Sequence, residues 1–351
     1  MIRESRVKIV YETPLTQFAF QVDVSERGFA VKDMYAKFTE PWMKAFSLTT
    51  GVMNRPFGFE VPYSSSMRES PERGRMSQTI FPGERDLGAM ITFQMPKTSN
   101  FNFLKIEGGM FNGTGSSAVD FDYIKDFIGN IGINKTTKNE KINYAMRFSA
   151  YSGGYRQGTS KVYTITKDSL SLPAFSYFKD TTNYAKTARR QYIGLDAQLN
   201  IDFPFGVTSL RGEFIAGQQP GSSSSSASPS AQPTDTYFRN FNGGYFYFLQ
   251  NIGQTKNQLV VKYDWYDPNT DVKGDDIGAK TLNRAGYNFV KTGATDLKYT
   301  TLGIGWIYHW DTNVKITAYY DMVTNETSKN LPLWGRDRKD NVFTLRVQYK
   351  F

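Results

Sequence analysis

Five arginines, Arg55, Arg68, Arg73, Arg75 and Arg85, fall within or just beyond one stretch, 54–84, interleaved with Glu60, Glu69, Glu72 and Glu84. A guanidinium is a planar, permanently charged fork that donates paired hydrogen bonds to phosphate or carboxylate, so the chemistry this set offers is reversible oxyanion binding. Weak sites in series also let an ion leave, as conduction requires. The competing reading is local: Arg68, Arg73 and Arg75 pair with Glu69 and Glu72, and much of their field cancels. Bond-making chemistry has few candidates. Cysteine is absent, and His309 is the one histidine, beside Trp306 and Trp310, where an aromatic girdle at a membrane interface is the expected role. No motif marks the serine and acid that a hydrolytic triad would need. Gly108-Gly109 and Gly243-Gly244 have no helix after them, so they read as bends or close-packed sites and not as phosphate loops. No catalytic residue, metal site or cofactor is expected.

The stretch that carries these arginines has no sustained period of two or 3.6, and uncommitted loops of this length are functional or disordered. Disorder fits it poorly. Phe57, Phe59, Tyr63, Met67, Met76, Ile80 and Phe81 give it apolar surface to dock, and Pro56, Pro62, Pro71 and Pro82 restrict the unfolded chain. The expectation is a constriction loop folded into the mouth of a barrel, its arginines facing the passage.

The rest of the chain reads as the barrel. Apolar residues alternate with polar ones in segment after segment: Phe18, Phe20, Val22 and Val24 against Gln17, Gln21 and Asp23; Tyr144, Met146 and Phe148 against Asn143, Arg147 and Ser149; Ile193, Leu195, Ala197 and Leu199 against Asp196, Gln198 and Asn200; Leu302, Ile304 and Trp306 against Gly303 and Gly305; Phe343, Leu345 and Val347 against Thr344, Arg346 and Gln348. Short turns near Thr13, Pro41, Pro96, Lys138, Pro204, Thr255 and Thr312 trade places with long connections at 54–84, 112–122, 153–188, 219–236, 268–298 and 324–340; the tight bend near Arg27 is the exception. Short turns at one end and long loops at the other mark an outer-membrane barrel, and soluble sandwiches have no reason to keep that asymmetry. The terminal strand ends on Phe351, as bacterial outer-membrane proteins tend to. The fold class expected is an all-β, transmembrane, antiparallel up-and-down barrel over 1–351.

Composition agrees. Aromatics make up 15% of the chain, with Tyr 22 and Phe 27 against Trp 5, heavy for a soluble domain. The formal charge of +9 is spread singly along the chain with acids nearby, so nucleic-acid binding is not expected. Mean hydropathy is negative and no apolar run reaches the roughly 18 residues of a membrane helix, a test that does not see strands. Ser222 to Ser226 heads a low-complexity tract at 219–236, read as an exposed extracellular loop because alternation resumes after it; a domain linker is the other reading.

Arg55-Pro56-Phe57-Gly58-Phe59-Glu60, Ser64-Ser65-Ser66 and Glu84-Arg85-Asp86-Leu87-Gly88, with Val31-Lys32-Asp33-Met34-Tyr35 upstream, resemble the phosphate-selective porin O and P family. The resemblance implies a 16-stranded barrel, usually trimeric, with an inward-folded loop and a basic lumen. About fifteen strands are readable where bacterial barrels use an even number. The loop alternation puts the odd one before Met1, as a trimmed N-terminus with no secretory signal would.

With the apolar faces toward lipid, the opposite faces carry Arg147, Arg190, Arg211, Lys262, Lys315 and Arg346, together with Arg6, Lys8, Lys37, Lys105 and Lys350. Asp23, Asp33, Glu107, Asp126, Asp196, Glu213, Asp264 and Asp321 share that wall, so the plain reading is a mixed-charge wetted surface with a positive excess that favours anions. The function expected is a porin of the bacterial outer membrane, in contact with outer-membrane lipid, that passes small solutes with a preference for anions such as phosphate and assembles as a homotrimer. The rivals are a structural or assembly subunit of an envelope complex with a plugged lumen, and a secreted soluble β-protein.

Overall fold

A computed structural model describes residues 5–26, 28–116, 119–178, 181–229, 231–232, 234–282 and 286–350. Phe351 and Arg27 lie outside them. The strands are β1 (Ser5–Glu12), β2 (Thr16–Ser25), β3 (Gly28–Thr39), β4 (Phe46–Asn54), β5 (Arg85–Gln94), β6 (Leu104–Phe111), β7 (Asp126–Thr136), β8 (Ile142–Arg156), β9 (Val162–Lys167), β10 (Pro173–Phe178), β11 (Thr187–Phe203), β12 (Gly206–Gly221), β13 (Thr236–Asn251), β14 (Asn257–Asp267), β15 (Tyr287–Val290), β16 (Tyr299–His309), β17 (Val314–Asn325) and β18 (Val342–Tyr349).

Of these eighteen, fifteen form one antiparallel up-and-down ladder in which each strand pairs with the next, β8 passing directly to β11 and β14 to β16. The odd number leaves β1 and β18 running in the same direction, and among the described residues no pairing joins them. Strand alternation becomes facing here. Along β11, Ile193 and Leu195 are 58% and 45% exposed, whereas Arg190, Tyr192 and Asp196 are at most 2% exposed. Phe148, Phe214, Leu302 and Leu345 continue the exposed apolar face on other strands. A water-soluble protein would bury such a band, and a bilayer covers it. This is the fold of a bacterial outer-membrane β-barrel.

Two connections read as loops hold short strands of their own. β9 and β10 form a hairpin inside 153–188, β15 inside 268–298 pairs with β10, and β9 meets the start of β13 in parallel. Tyr163, Phe175 and Tyr237 form their core, with the Tyr163 and Tyr237 rings stacked at 4.2 Å. These strands escape a reading by alternation because they are at most six residues long.

The main core is inside the ladder. Met53, Phe57, Val61, Met76, Ile80 and Phe81, at the end of β4 and along 54–84, pack on Phe111, Ile128, Tyr151, Tyr192, Ile215, Phe241 and Tyr266 of the inner wall. Met76 and Ile80 sit on α1 (Arg75–Ile80), too short for a helical period to show in sequence. The wall is shaped to receive it: a Cβ on Gly243 would lie 2.8 Å from the Met76 sulfur, so this glycine is a close-packed site.

Candidate functional site: the loop inside the barrel and the cavity beside it

The segment 54–84 leaves β4 and returns at β5 through buried ion pairs. Arg55 donates to Asp86 from Nη2 at 3.0 Å and Nε at 3.2 Å, and Asp86 also accepts the Gly113 backbone N–H at 2.7 Å. Arg85 bridges Asp33 at 2.5 Å and Glu84 at 3.1 Å, and Arg73 reaches Glu84 at 3.3 Å. Burial works to raise the Glu84 carboxyl, but Arg73 and Arg85 prevail and hold it below its ordinary value. Burial also lowers the Arg73 guanidinium, against the pull of Glu84; it stays charged because its ordinary value is so far above neutrality.

The segment then crosses the inner wall. Pro56 O accepts from Asn130 at 3.0 Å, Gly58 N donates to Ser149 Oγ at 3.0 Å, and Gly58 O accepts from Arg147 at 2.5 Å. Gly58 has φ +61°, and a Cβ there would strike the Glu213 carboxyl at 1.8 Å, so the chain needs glycine where it meets the wall. Glu213 accepts from Glu60 N at 3.0 Å and from the Tyr245 hydroxyl at 2.7 Å. The Glu60 carboxylate folds back on Gly74 N at 3.0 and 3.1 Å, closing the segment on itself.

Its far tip rests on the last two strands. Lys315 donates to the carbonyls of Arg68 and Ser66 at 3.2 and 3.5 Å, Arg346 to Arg68 O at 3.0 Å, and Gln348 to Ser66 O at 2.7 Å. Arg68 itself is buried, with one guanidinium nitrogen 3.5 Å from Pro71 O. Arg211 pairs with Glu69 at 3.0 Å.

Between the segment and the wall of β14 to β18 lies a cavity of about 760 Å³. Arg75 enters it stacked over the Tyr299 ring, its guanidinium carbon 3.8 Å from the centroid. Lys262 and Asp264 pair across 3.1 Å, and Asp321 faces the same space. The serine tract closes the top: Ser224, Ser225 and Ser226 line this cavity, Ser228 N donates to Thr79 O at 3.3 Å, and Arg190 bonds Ser228 Oγ while lying 3.6 Å from Asp126. Ser226 and Ser228 are buried, so the tract is only in part the exposed loop expected from its composition. A second space, about 830 Å³, lies above Arg55 between 113–116 and the same tract. A further concavity, about 1360 Å³, is lined by exposed Ile91, Met110, Phe127, Ile193 and Phe214 of the outer face and by the buried Ile128, Tyr151, Tyr192 and Phe241, and no charged residue lines it.

The arginines expected to act together are thus separated. Arg55 and Arg85 brace the entry to the segment, Arg68 its tip, and Arg73 pairs with Glu84 and not with Glu69 or Glu72. Arg75 is the one of the five that presents its fork to the cavity beside β14 to β18 without an ion pair among the described residues. On the wall, Arg147, Arg190, Arg211 and Lys262 have carboxylate partners, while Lys315 and Arg346 hold carbonyls. Tyr299 and the serines gave no signal in sequence, because one is an ordinary strand aromatic and the others are low complexity. His309 is exposed at the end of β16, beside the outward row Trp306, Tyr308 and Trp310, whose rings follow at 5.9 and 6.2 Å.

No family model matches the chain, and no curated protein matches it. Solved structures do. OprB of Pseudomonas putida superposes with a TM-score of 0.56 at 9% identity, over 96% of this chain and 83% of that one. DcaP, an outer membrane channel of Acinetobacter baumannii, gives 0.54 at 11% identity over 99% and 85%. The trimer form of OmpT, an outer membrane protein of Vibrio cholerae, gives 0.50 at 8% identity over 99% and 91%. At such identities the likeness is one of fold, and that fold is the bacterial outer-membrane β-barrel.

Proposed function

We propose that this chain is a passive outer-membrane channel for small hydrophilic solutes, with 54–84 as its constriction, and that it performs no chemical step. The observation that carries the reading is the charged cavity left beside that segment, inside a ladder whose outer face is apolar. A preference for small anions, phosphate among them, is the finer part. It is supported by the open fork of Arg75, by Arg68 and Lys315, whose partners are backbone carbonyls and not carboxylates, and by the chain's formal charge of +9. The resemblance at 55–60 and 84–88 to phosphate-selective porins points the same way. Assembly as a homotrimer has the trimer form of OmpT as its precedent.

A second reading has its own observation. The segment is tied to both sides of the barrel, at Asp86 and at Lys315, and the serine tract lies over it, as in a plugged subunit of an envelope assembly. Planar-bilayer recording of the folded protein in a KCl gradient separates the two. Discrete conductance steps with an anion-signed zero-current potential are expected; folded protein without steps supports the plugged subunit, and steps of the opposite sign remove the anion preference while keeping the channel.

A further inference from the structure

We infer that the cavity beside β14 to β18 is a binding site for a short zwitterionic peptide solute, its carboxylate on Arg75 and its ammonium on Asp321. The inference rests on the channel reading for how a solute arrives there. Its starting point is a charge inventory of the lining. Lys262 is taken by Asp264 at 3.1 Å, Arg73 by Glu84 at 3.3 Å, and Glu72 also has a partner. Arg75 and Asp321 remain, one cation and one carboxylate with no hydrogen bond or ion pair to either side chain among the described residues. Tyr299 holds the Arg75 guanidinium carbon 3.8 Å from its ring centroid, and the guanidinium N–H groups have no hydrogen-bond partner among the described residues, which leaves them for a carboxylate.

The spacing selects the solute. Asp321 lies opposite Gly303, four residues along β16 from Tyr299. At about 3.3 Å per residue that is roughly 13 Å of strand. Taking that strand length as the scale of the gap between the two charged groups, a hydrogen bond of about 2.8 Å at each end leaves roughly 7 to 8 Å between the solute's own charges. Two or three extended residues, at about 3.3 to 3.6 Å each, span that distance. Thr301 lies between the two ends on the inner face, and Thr295, Thr344 and Ser226 add hydroxyls for peptide N–H and C=O groups. A simple anion engages only Arg75 and a simple cation only Asp321, so a solute with both charges is held at both ends.

The test uses dialanine and trialanine beside their N-acetyl and C-amide forms, read two ways: equilibrium binding to the detergent-solubilised protein, and block of single-channel KCl current. The free peptides should bind about tenfold more tightly than either capped form, the size of one charge-assisted contact. Arg75→Gln should erase the advantage over the C-amide form and Asp321→Asn the advantage over the N-acetyl form; both side chains face open space, and the capped peptides test the unmodified protein in any case. Equal binding of capped and free peptides, or an advantage that survives both substitutions, overturns the inference. KCl conductance without peptide discrimination overturns this site and leaves the channel standing. Peptide discrimination in binding without conductance supports the site and overturns the channel.

Discussion

The two ends of the inward segment are built differently. At the root, 54–62 and 72–85, rings close on one another, Phe57 on Phe81 at 5.2 Å and each on Tyr151 and Tyr192, and Arg55, Arg73 and Arg85 sit in largely buried ion pairs, while Arg75 turns to the cavity. At the tip, 63–71, no residue of that core is present, and the contacts to β17 and β18 are donors laid on backbone carbonyls. The root is apolar burial plus several ion pairs whose disruption leaves an unpaired buried charge; the tip has the Glu69–Arg211 pair to β12, and its hold on β17 and β18 is a set of separate, partly solvated bonds of about 1 kcal/mol each. Charge type alone therefore does not assign a role. The same residue, arginine, is a brace at Arg55, a part of the tip at Arg68 and an open electrostatic group at Arg75.

The sharpest way to break this comparison is to cut the root. Phe57→Ala should cost about 3 to 5 kcal/mol through cavity formation. Arg55→Ala should cost a similar amount, about 3 to 5 kcal/mol, by leaving Asp86 buried and unpaired. Denaturant unfolding in detergent, followed by the heat-dependent mobility shift, measures both. Costs under 1 kcal/mol would mean that the segment is not anchored there.

Charge reversal at Arg75 comes next. Arg75→Glu should move the zero-current potential in a KCl gradient toward cations, because a passing ion comes within the Debye length of roughly 8 to 10 Å. Lys273→Glu, on the exposed connection 268–298, should move it much less. Equal shifts would show that the long-loop end governs selectivity. At the tip, Lys315→Gln should lower stability by no more than about 2 kcal/mol, the worth of its two bonds to Arg68 O and Ser66 O, yet raise open-channel current noise as the tip loosens. A loss as large as that of Phe57→Ala would erase the distinction between tip and root.

The smallest effect is the acid response of the root. Arg73 and Arg85 hold the Glu84 carboxyl below its ordinary value, so its contribution is present above the unfolded value of about 4.3 and is lost as pH falls through the lower folded value. Limited proteolysis of the segment should be flat from neutral pH to about 5 and rise only below about 4. A rise already near neutrality would assign the response to another group.

Most of the ladder was legible in the residues themselves. Lipid on one side and water on the other impose a period of two, and short turns alternating with long connections give the direction of every strand; Ile193 and Leu195 face out and Asp196 faces in as that period requires. The segment 54–84 stood out by the same rule, as the place where the period stops. What the sequence left open is which charges meet. Glu69 and Glu72 are the near neighbours of Arg68, Arg73 and Arg75 in the chain, yet Arg73 takes Glu84, Glu69 takes Arg211 from β12, and Arg55 takes Asp86 on β5. Ion pairs form over a few ångströms of space, and only the folded path of the segment brings residues from opposite sides of the barrel to that distance. The same path, turning 75–80 into a helix against Gly243, carries Arg75 onto Tyr299 and leaves Asp321 open across the cavity.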